Sequence, residues 1–127
     1  MEIKEFQELS KRTMPQLDSQ INTDGDVVTM SKPLILANYA LGLAGEGGEV
    51  ADVIKKHIFH GHPLDKEAVK KELGDILHYV AGVATLLELN MESVLEGNIE
   101  KLKKRFPNGF SSADSIRRAD VNTNLTK

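Results

Sequence analysis

The sequence predicts an all-α fold, a four-helix bundle-like single domain, and three observations predict it. Apolar residues recur at helical spacing through four stretches. Helix-capping residues stand in front of three of them, with glycine and proline after two. Two carboxylate pairs, each spaced i, i+3, interrupt two of the apolar stripes at the same kind of position.

The first helix is expected over residues 2–12, with Ile3, Phe6 and Leu9 on one face and Lys4, Gln7, Lys11 and Arg12 as polar positions. Thr13 to Ser31 lacks a clear period and reads as a long loop, with at most a short turn of helix. A loop of that length in a compact domain is a lid, a binding loop or disordered. Ser31 is placed to cap the second helix and Pro33 to sit in its first turn, and that helix runs to about Phe59. Gly42, Gly45, Gly47 and Gly48 crowd its middle, a few kcal/mol against helix formation relative to alanine. They suit close helix packing, room for a ligand beside Glu46, or both. His60-Gly61-His62-Pro63 ends the helix. Asp65 caps the third, Lys66 to about Glu88, with Leu73, Ile76, Val80, Val83 and Leu87 in its stripe. Asn90 caps the fourth, Met91 to Arg105 or Phe106, and Pro107-Asn108-Gly109 ends it. The domain is expected over residues 1–118 and a polar tail over 119–127, with Phe110 and Ile116 as residues that dock on the bundle and the end from Val121 frayed.

The functional clue lies in Glu46-Gly-Gly-Glu49 and Glu72-Leu-Gly-Asp75. At about 100° per residue, Tyr39, Val50 and Val53 fall within about 40° of Glu46, and Ile76, Tyr79, Val83 and Leu86 within about 40° of Glu72. Glu49 and Asp75 each lie about 60° to the same side of their partners, at the stripe edge. Acids therefore stand where a bundle wants leucine. Four carboxylates converging in a groove of low dielectric must protonate, meet basic side chains or coordinate cations. An ion-pair network is one reading. A cage of oxygen ligands for a hard divalent ion, Mg²⁺ or Mn²⁺, is the other. In the fourth helix Asn98 shares a face with Met91, Val94 and Leu102, with Arg105 about 20° and Lys101 about 60° away. An inward amide beside two cations suits a polyanion bridging metals, or the cations neutralise the acids directly.

Composition narrows the classes. The chain has 127 residues, enough for one modest core, with 40% hydrophobic and 28% charged residues. Cysteine is absent, which excludes a disulfide framework, a zinc finger and a thiol nucleophile. Net charge is -3, and setting the four acids aside leaves 15 acids against 16 bases, so the excess is assignable to one site. This is not the basic footprint of a nucleic-acid binder. No apolar run is long enough to span a bilayer, and the start shows no signal-peptide pattern, so a cytoplasmic location is expected. His57, His60 and His62 are expected at the surface, and Asp75-Ile-Leu-His78 echoes the di-iron Glu-x-x-His only faintly. Tyr79 is either core or a ligand contact.

Gly45-Glu46-Gly-Gly-Glu49, a 22-residue spacer and Lys71-Glu72-Leu-Gly-Asp75 together resemble the Glu-x-x-Glu…Glu-x-x-Asp signature of the MazG-like nucleoside triphosphate pyrophosphohydrolases, the all-α NTP pyrophosphatase superfamily. Asn98-Ile-Glu-Lys101-Leu-Lys-Lys-Arg105-Phe-Pro107 is similar to that family's downstream helix, and the likeness covers roughly residues 33–118. The resemblance implies cleavage of a nucleoside triphosphate between the α and β phosphorus atoms, giving a monophosphate and pyrophosphate. It implies Glu46, Glu49, Glu72 and Asp75 as Mg²⁺ ligands and catalytic groups, with Glu49 a candidate to help deprotonate the attacking water. It implies Asn98, Lys101 and Arg105 as phosphate contacts, with Lys101 also catalytic. Glycine at 47 departs from members that carry another glutamate there, which leaves the water-activating residue open. The base pocket, built in the family partly from the N-terminal helix and loop, has Arg12, Thr13, Asn38 and Tyr79 as candidates. The family's homo-oligomers imply a dimer or a dimer of dimers, and four amphipathic helices in a short chain leave apolar surface for one to cover. Same-fold hydrolysis of dCTP, dUTP or phosphoribosyl-ATP, and a non-catalytic helical interaction module, are the rival readings.

Overall fold

The computed structural model describes residues 1–122 and is predominantly helical. Its helices are α1 (Ile3–Ser10), α2 (Lys32–His60), α3 (Lys66–Leu86), α4 (Met91–Arg105) and α5 (Ser112–Arg117), with a single 3-10 turn, Lys11–Thr13, after α1. A two-stranded antiparallel hairpin, β1 (Gln20–Thr23) and β2 (Asp26–Thr29), stands between α1 and α2. The chain divides into two compact units, Met1–Leu89 and the segment from Asn90 onward.

The capping residues act as expected. Ser31 accepts from the Leu34 N–H, Asp65 from Ala68, and Asn90 from both Glu92 and Ser93. Gly61 ends α2 in the left-handed conformation at φ 72°, which glycine adopts without a Cβ penalty.

The long loop expected over Thr13–Ser31 is corrected. Asp24 and Gly25 both take positive φ, 51° and 90°, between the paired residues Thr23 and Asp26. That is the two-residue Asp-Gly turn whose twist matches antiparallel strands. Asn22 accepts from the Gly25 N–H and tightens it. Met30, just after the hairpin, forms a core with Ile35 and Tyr39, and Val28 of β2 packs against it.

Within the first unit the central contact is the antiparallel pair α2 and α3. Tyr39 is 2% exposed, and a Cβ on Gly82 of α3 would stand 2.1 Å from its ring. The relation is reciprocal. A Cβ on Gly42 of α2 would stand 2.4 Å from the ring of Tyr79. Each helix thus carries Tyr-x-x-Gly, and each tyrosine lies on the other helix's glycine. The two rings meet edge to face at 5.5 Å, an arrangement that adds about 0.5–1.5 kcal/mol beyond area burial. This contact offsets the weak helix propensity of a glycine-rich α2, which would be marginal in isolation. Gly45, Gly47 and Gly48 have open space around them, so close packing accounts for Gly42 alone among the four.

In the second unit Asn90 begins α4, and Ser111 caps α5 by accepting from Asp114. The expectation that Phe110 and Ile116 dock is corrected: they are 78% and 83% exposed. Arg105 instead anchors the region after α5, donating from Nε and Nη2 to the two carboxylate oxygens of Asp120 at 2.7 and 2.8 Å. The Asp120 side chain is 2% exposed, Ala119 beside it is buried, and Arg105 holds the Asp120 carboxyl down at about 2. Val121 and Asn122 are exposed, and the remainder of the expected frayed end, residues 123–127, lies outside the described residues.

Gly82→Ala is expected to destabilise by about 1–3 kcal/mol, because the buried Tyr39 ring has nowhere to retreat. Gly97→Ala, in a helix with open space at that position, is expected to stabilise by about 0.5–1 kcal/mol. Urea unfolding of both variants measures the contrast, and equal signs would contradict it.

Candidate metal and nucleotide site

The tyrosine–glycine interlock sets where the acids meet. Glu46 lies four residues after Gly42, and Asp75 four before Tyr79. Glu49 and Glu72 each lie three residues further along. Both helices rise about 1.5 Å per residue, so an antiparallel pair that seats Gly42 on Tyr79 brings Glu46 level with Asp75 and Glu49 level with Glu72. Carboxylate oxygens of Glu46, Glu72 and Asp75 accordingly come within 4.8 Å of one another. Glu46 and Glu72 are half-buried and Asp75 is exposed. Glu49, also exposed, stands outside that cluster, yet its charge adds to the field on Glu46.

The electrostatics are those of an under-neutralised site. Among the described residues no lysine or arginine forms a salt bridge to any of the four acids. The nearby pair Lys55 and Lys56 is taken by Asp52, at 3.1 and 2.9 Å. The Glu46 carboxyl is pushed up to about 7, first by a hydrogen bond shared with Glu72, then by partial burial, then by the charges of Glu72, Asp75 and Glu49. Without a cation, Glu46 therefore keeps a proton shared with Glu72 up to a pH of about 7. An all-oxygen set with surplus negative charge fits a hard divalent ion.

The expected phosphate contacts stand on α4. Asn98 is exposed, where an inward position was expected, and Lys101 is exposed too. Arg105 is half-buried in its fork with Asp120. Of the four base-pocket candidates, Arg12 and Thr13 share a cavity, and Asn38 and Tyr79 stand elsewhere. Arg12 lines a cavity with Phe6, Leu9, Thr13 and His78. Asn38 lines another, with Ile21, Met30 and Leu34. Tyr79 is spent on Gly42 and Tyr39.

Sequence reasoning weighed His78 only as a faint di-iron echo and gave it no place beside the two tyrosines. Its ring packs against Tyr39 and Tyr79, with centroids at 5.7 and 5.2 Å, and its Nε2 lies 3.4 Å from the Thr13 hydroxyl. The signal was its place one turn after Asp75, three residues along the same helix. His57, His60 and His62 are exposed at the end of α2 and the turn after it, with the His57 ring at 2.7 Å from the His62 carbonyl. Among the described residues, no helix is long and apolar enough to cross a membrane.

The Glu46 value gives a signed prediction. Its folded value lies above the unfolded 4.5, so the stability it contributes is full below about 4.5 and is lost as pH rises through about 7. In EDTA the melting temperature should fall across that window, and Glu46→Gln should flatten the fall. An unchanged slope in the variant would contradict the shared proton.

The model of the MazG nucleotide pyrophosphohydrolase domain matches residues 36–110, more than half of the chain and the whole of α2 beyond its first turn, α3 and α4. A curated relative, the Gene 37 protein of Mycobacterium phage L5, is 32% identical over 78 residues, covering 58% of this chain and 68% of its own. No solved structure matches the chain. Matched over both acid pairs and the helices that carry them, the chain belongs to the MazG nucleotide pyrophosphohydrolase domain family.

Proposed function

We propose that this protein is a Mg²⁺-dependent nucleoside triphosphate pyrophosphohydrolase that cleaves the α–β phosphoanhydride to release a nucleoside monophosphate and pyrophosphate. The observation that carries the reading is the convergence of Glu46, Glu72 and Asp75 oxygens within 4.8 Å, inside the matched domain. A closed ion-pair network would need basic partners, and among the described residues these acids have none.

Glu46, Glu72 and Asp75 would hold the ion, with Glu49 completing the set from the neighbouring turn. Mg²⁺, or Mn²⁺ in its place, supplies neutralisation of the triphosphate's charge and alignment of its phosphates. The chain's own contribution is a rigid frame. Glu46 and Glu72 stay fixed because their helices are held in register by Tyr39 and Tyr79. Glu49, exposed and outside the tight cluster, is the acid best placed to accept a proton from water. Asn98 and Lys101 keep the role of phosphate contacts that the resemblance implies. Arg105 is the weaker candidate, since two of its donors already serve Asp120.

We also propose that the chain self-associates. Leu41 on α2, and Leu73 and Leu77 on α3, expose 74%, 49% and 46% of their surface, an apolar area that a second copy would cover.

Product analysis tests the chemistry. Incubation of a nucleoside triphosphate with the protein and Mg²⁺ should yield pyrophosphate and monophosphate in equal amounts. Glu72→Ala should lower turnover at least about a hundredfold while the protein stays folded, and should remove the rise in melting temperature that Mg²⁺ gives the parent. Orthophosphate as the sole inorganic product, or full turnover in the variant, would overturn the proposal.

A further inference from the structure

A second group of metal-ligating side chains stands where α2 ends: His57, His60 and His62, all exposed. It lies away from the acids. His57 is eleven residues beyond Glu46, about 16 Å along α2.

The backbone under these rings is held at two points. Gly61 takes the left-handed conformation at φ 72°, and the His62 N–H then donates back to the Lys56 carbonyl at 3.1 Å. His62 is thereby folded against the last turn of α2. The His57 ring fastens the same residue from the side, with Nδ1 at 2.7 Å from the His62 carbonyl oxygen. A carbonyl oxygen only accepts, so Nδ1 carries the proton in that bond. Histidine rings bonded to backbone carbonyls are a recurring support of metal sites.

His60 and His62 stand on either side of Gly61, with ring centroids 6.2 Å apart and planes inclined at 60°. Two imidazoles that share one ion at about 2.0–2.1 Å bring their centroids to about 5–6 Å. A small rotation of two exposed side chains closes that difference. Among the described residues the acids alone bring three ligand atoms within 4.8 Å of one another, so the histidine site is a two-residue chelate, with water at its other positions. Neutral imidazole nitrogen suits Zn²⁺, Ni²⁺ and Cu²⁺, whereas Mg²⁺ takes oxygen.

We propose that His60 and His62 form a peripheral site for such a borderline divalent ion, and that His57 is a positioning residue that holds the turn through the His62 carbonyl. The site differs from the acid cluster in place and in donor type, and it does not depend on the pyrophosphohydrolase reading. An ion bound there ties the last turn of α2 to the turn that leads into α3.

The test is a Zn²⁺ titration of the full chain in excess Mg²⁺, followed through the nitrogen resonances of the histidine rings, with sedimentation at each step. The rings of His60 and His62 should shift together and saturate at one zinc per chain, with no change in the size of the particle. His57→Ala should lower zinc affinity about tenfold, the low end for loss of an outer support. His57→Asn, whose amide can donate where Nδ1 did, should recover most of that loss. His60→Gln or His62→Gln should lower affinity further than His57→Ala. Zinc that leaves these two rings unmoved, equal affinity in the parent and His60→Gln, or shifts that appear only as chains associate would overturn the site.

Discussion

Two tyrosines, each lying on a glycine of the opposite helix, are the constraint on which the rest of the first unit depends. Tyr39 on Gly82 and Tyr79 on Gly42 permit one axial register of α2 against α3, because any slide would drive a ring into a backbone that has a Cβ. The acids lie at matched distances from that interlock, so packing about one turn away from the charges decides which carboxylates face each other. The helices gain their pairing from apolar and aromatic contact, and the site inherits its geometry from it.

That geometry opposes stability. Carboxylates a few ångströms apart repel, and the raised Glu46 value reflects a hydrogen bond shared with Glu72, partial burial and then that repulsion. Evenly neutralised acids would have relaxed it, but the nearby Lys55 and Lys56 are committed to Asp52. The unmet charge is what a divalent ion and a nucleotide would satisfy together, and it accounts for the excess of acids over bases in the whole chain.

Much of this was legible in the residues. Ser31, Asp65 and Asn90 marked three helix starts because capping chemistry is local and each supplies its own acceptor. The Glu-x-x-Glu and Glu-x-x-Asp pairs could be placed on stripes by helical angle alone. The hairpin was missed, although Asp24-Gly25 between β-branched residues is its local signal, because polar turn residues masked the alternation around Val27 and Val28. The Asp120 clamp was hidden because an ion pair fifteen residues apart leaves no periodic trace. A helical wheel placed Asn98 inward, yet its side chain is exposed, and the wheel says nothing about what stands opposite a face. Arg12, Thr13, Asn38 and Tyr79 were candidates for a base pocket implied by the resemblance, and tertiary packing kept only Arg12 and Thr13 in one cavity.

The central claim is that Glu46, Glu72 and Asp75 together hold a divalent ion in the register set by the two tyrosines. Anomalous diffraction from a crystal grown with Mn²⁺ tests it most directly. The account predicts a manganese peak with oxygens of these three residues at about 2.0–2.3 Å. A peak elsewhere, or carboxylates turned away from one another with no ion between them, would contradict it.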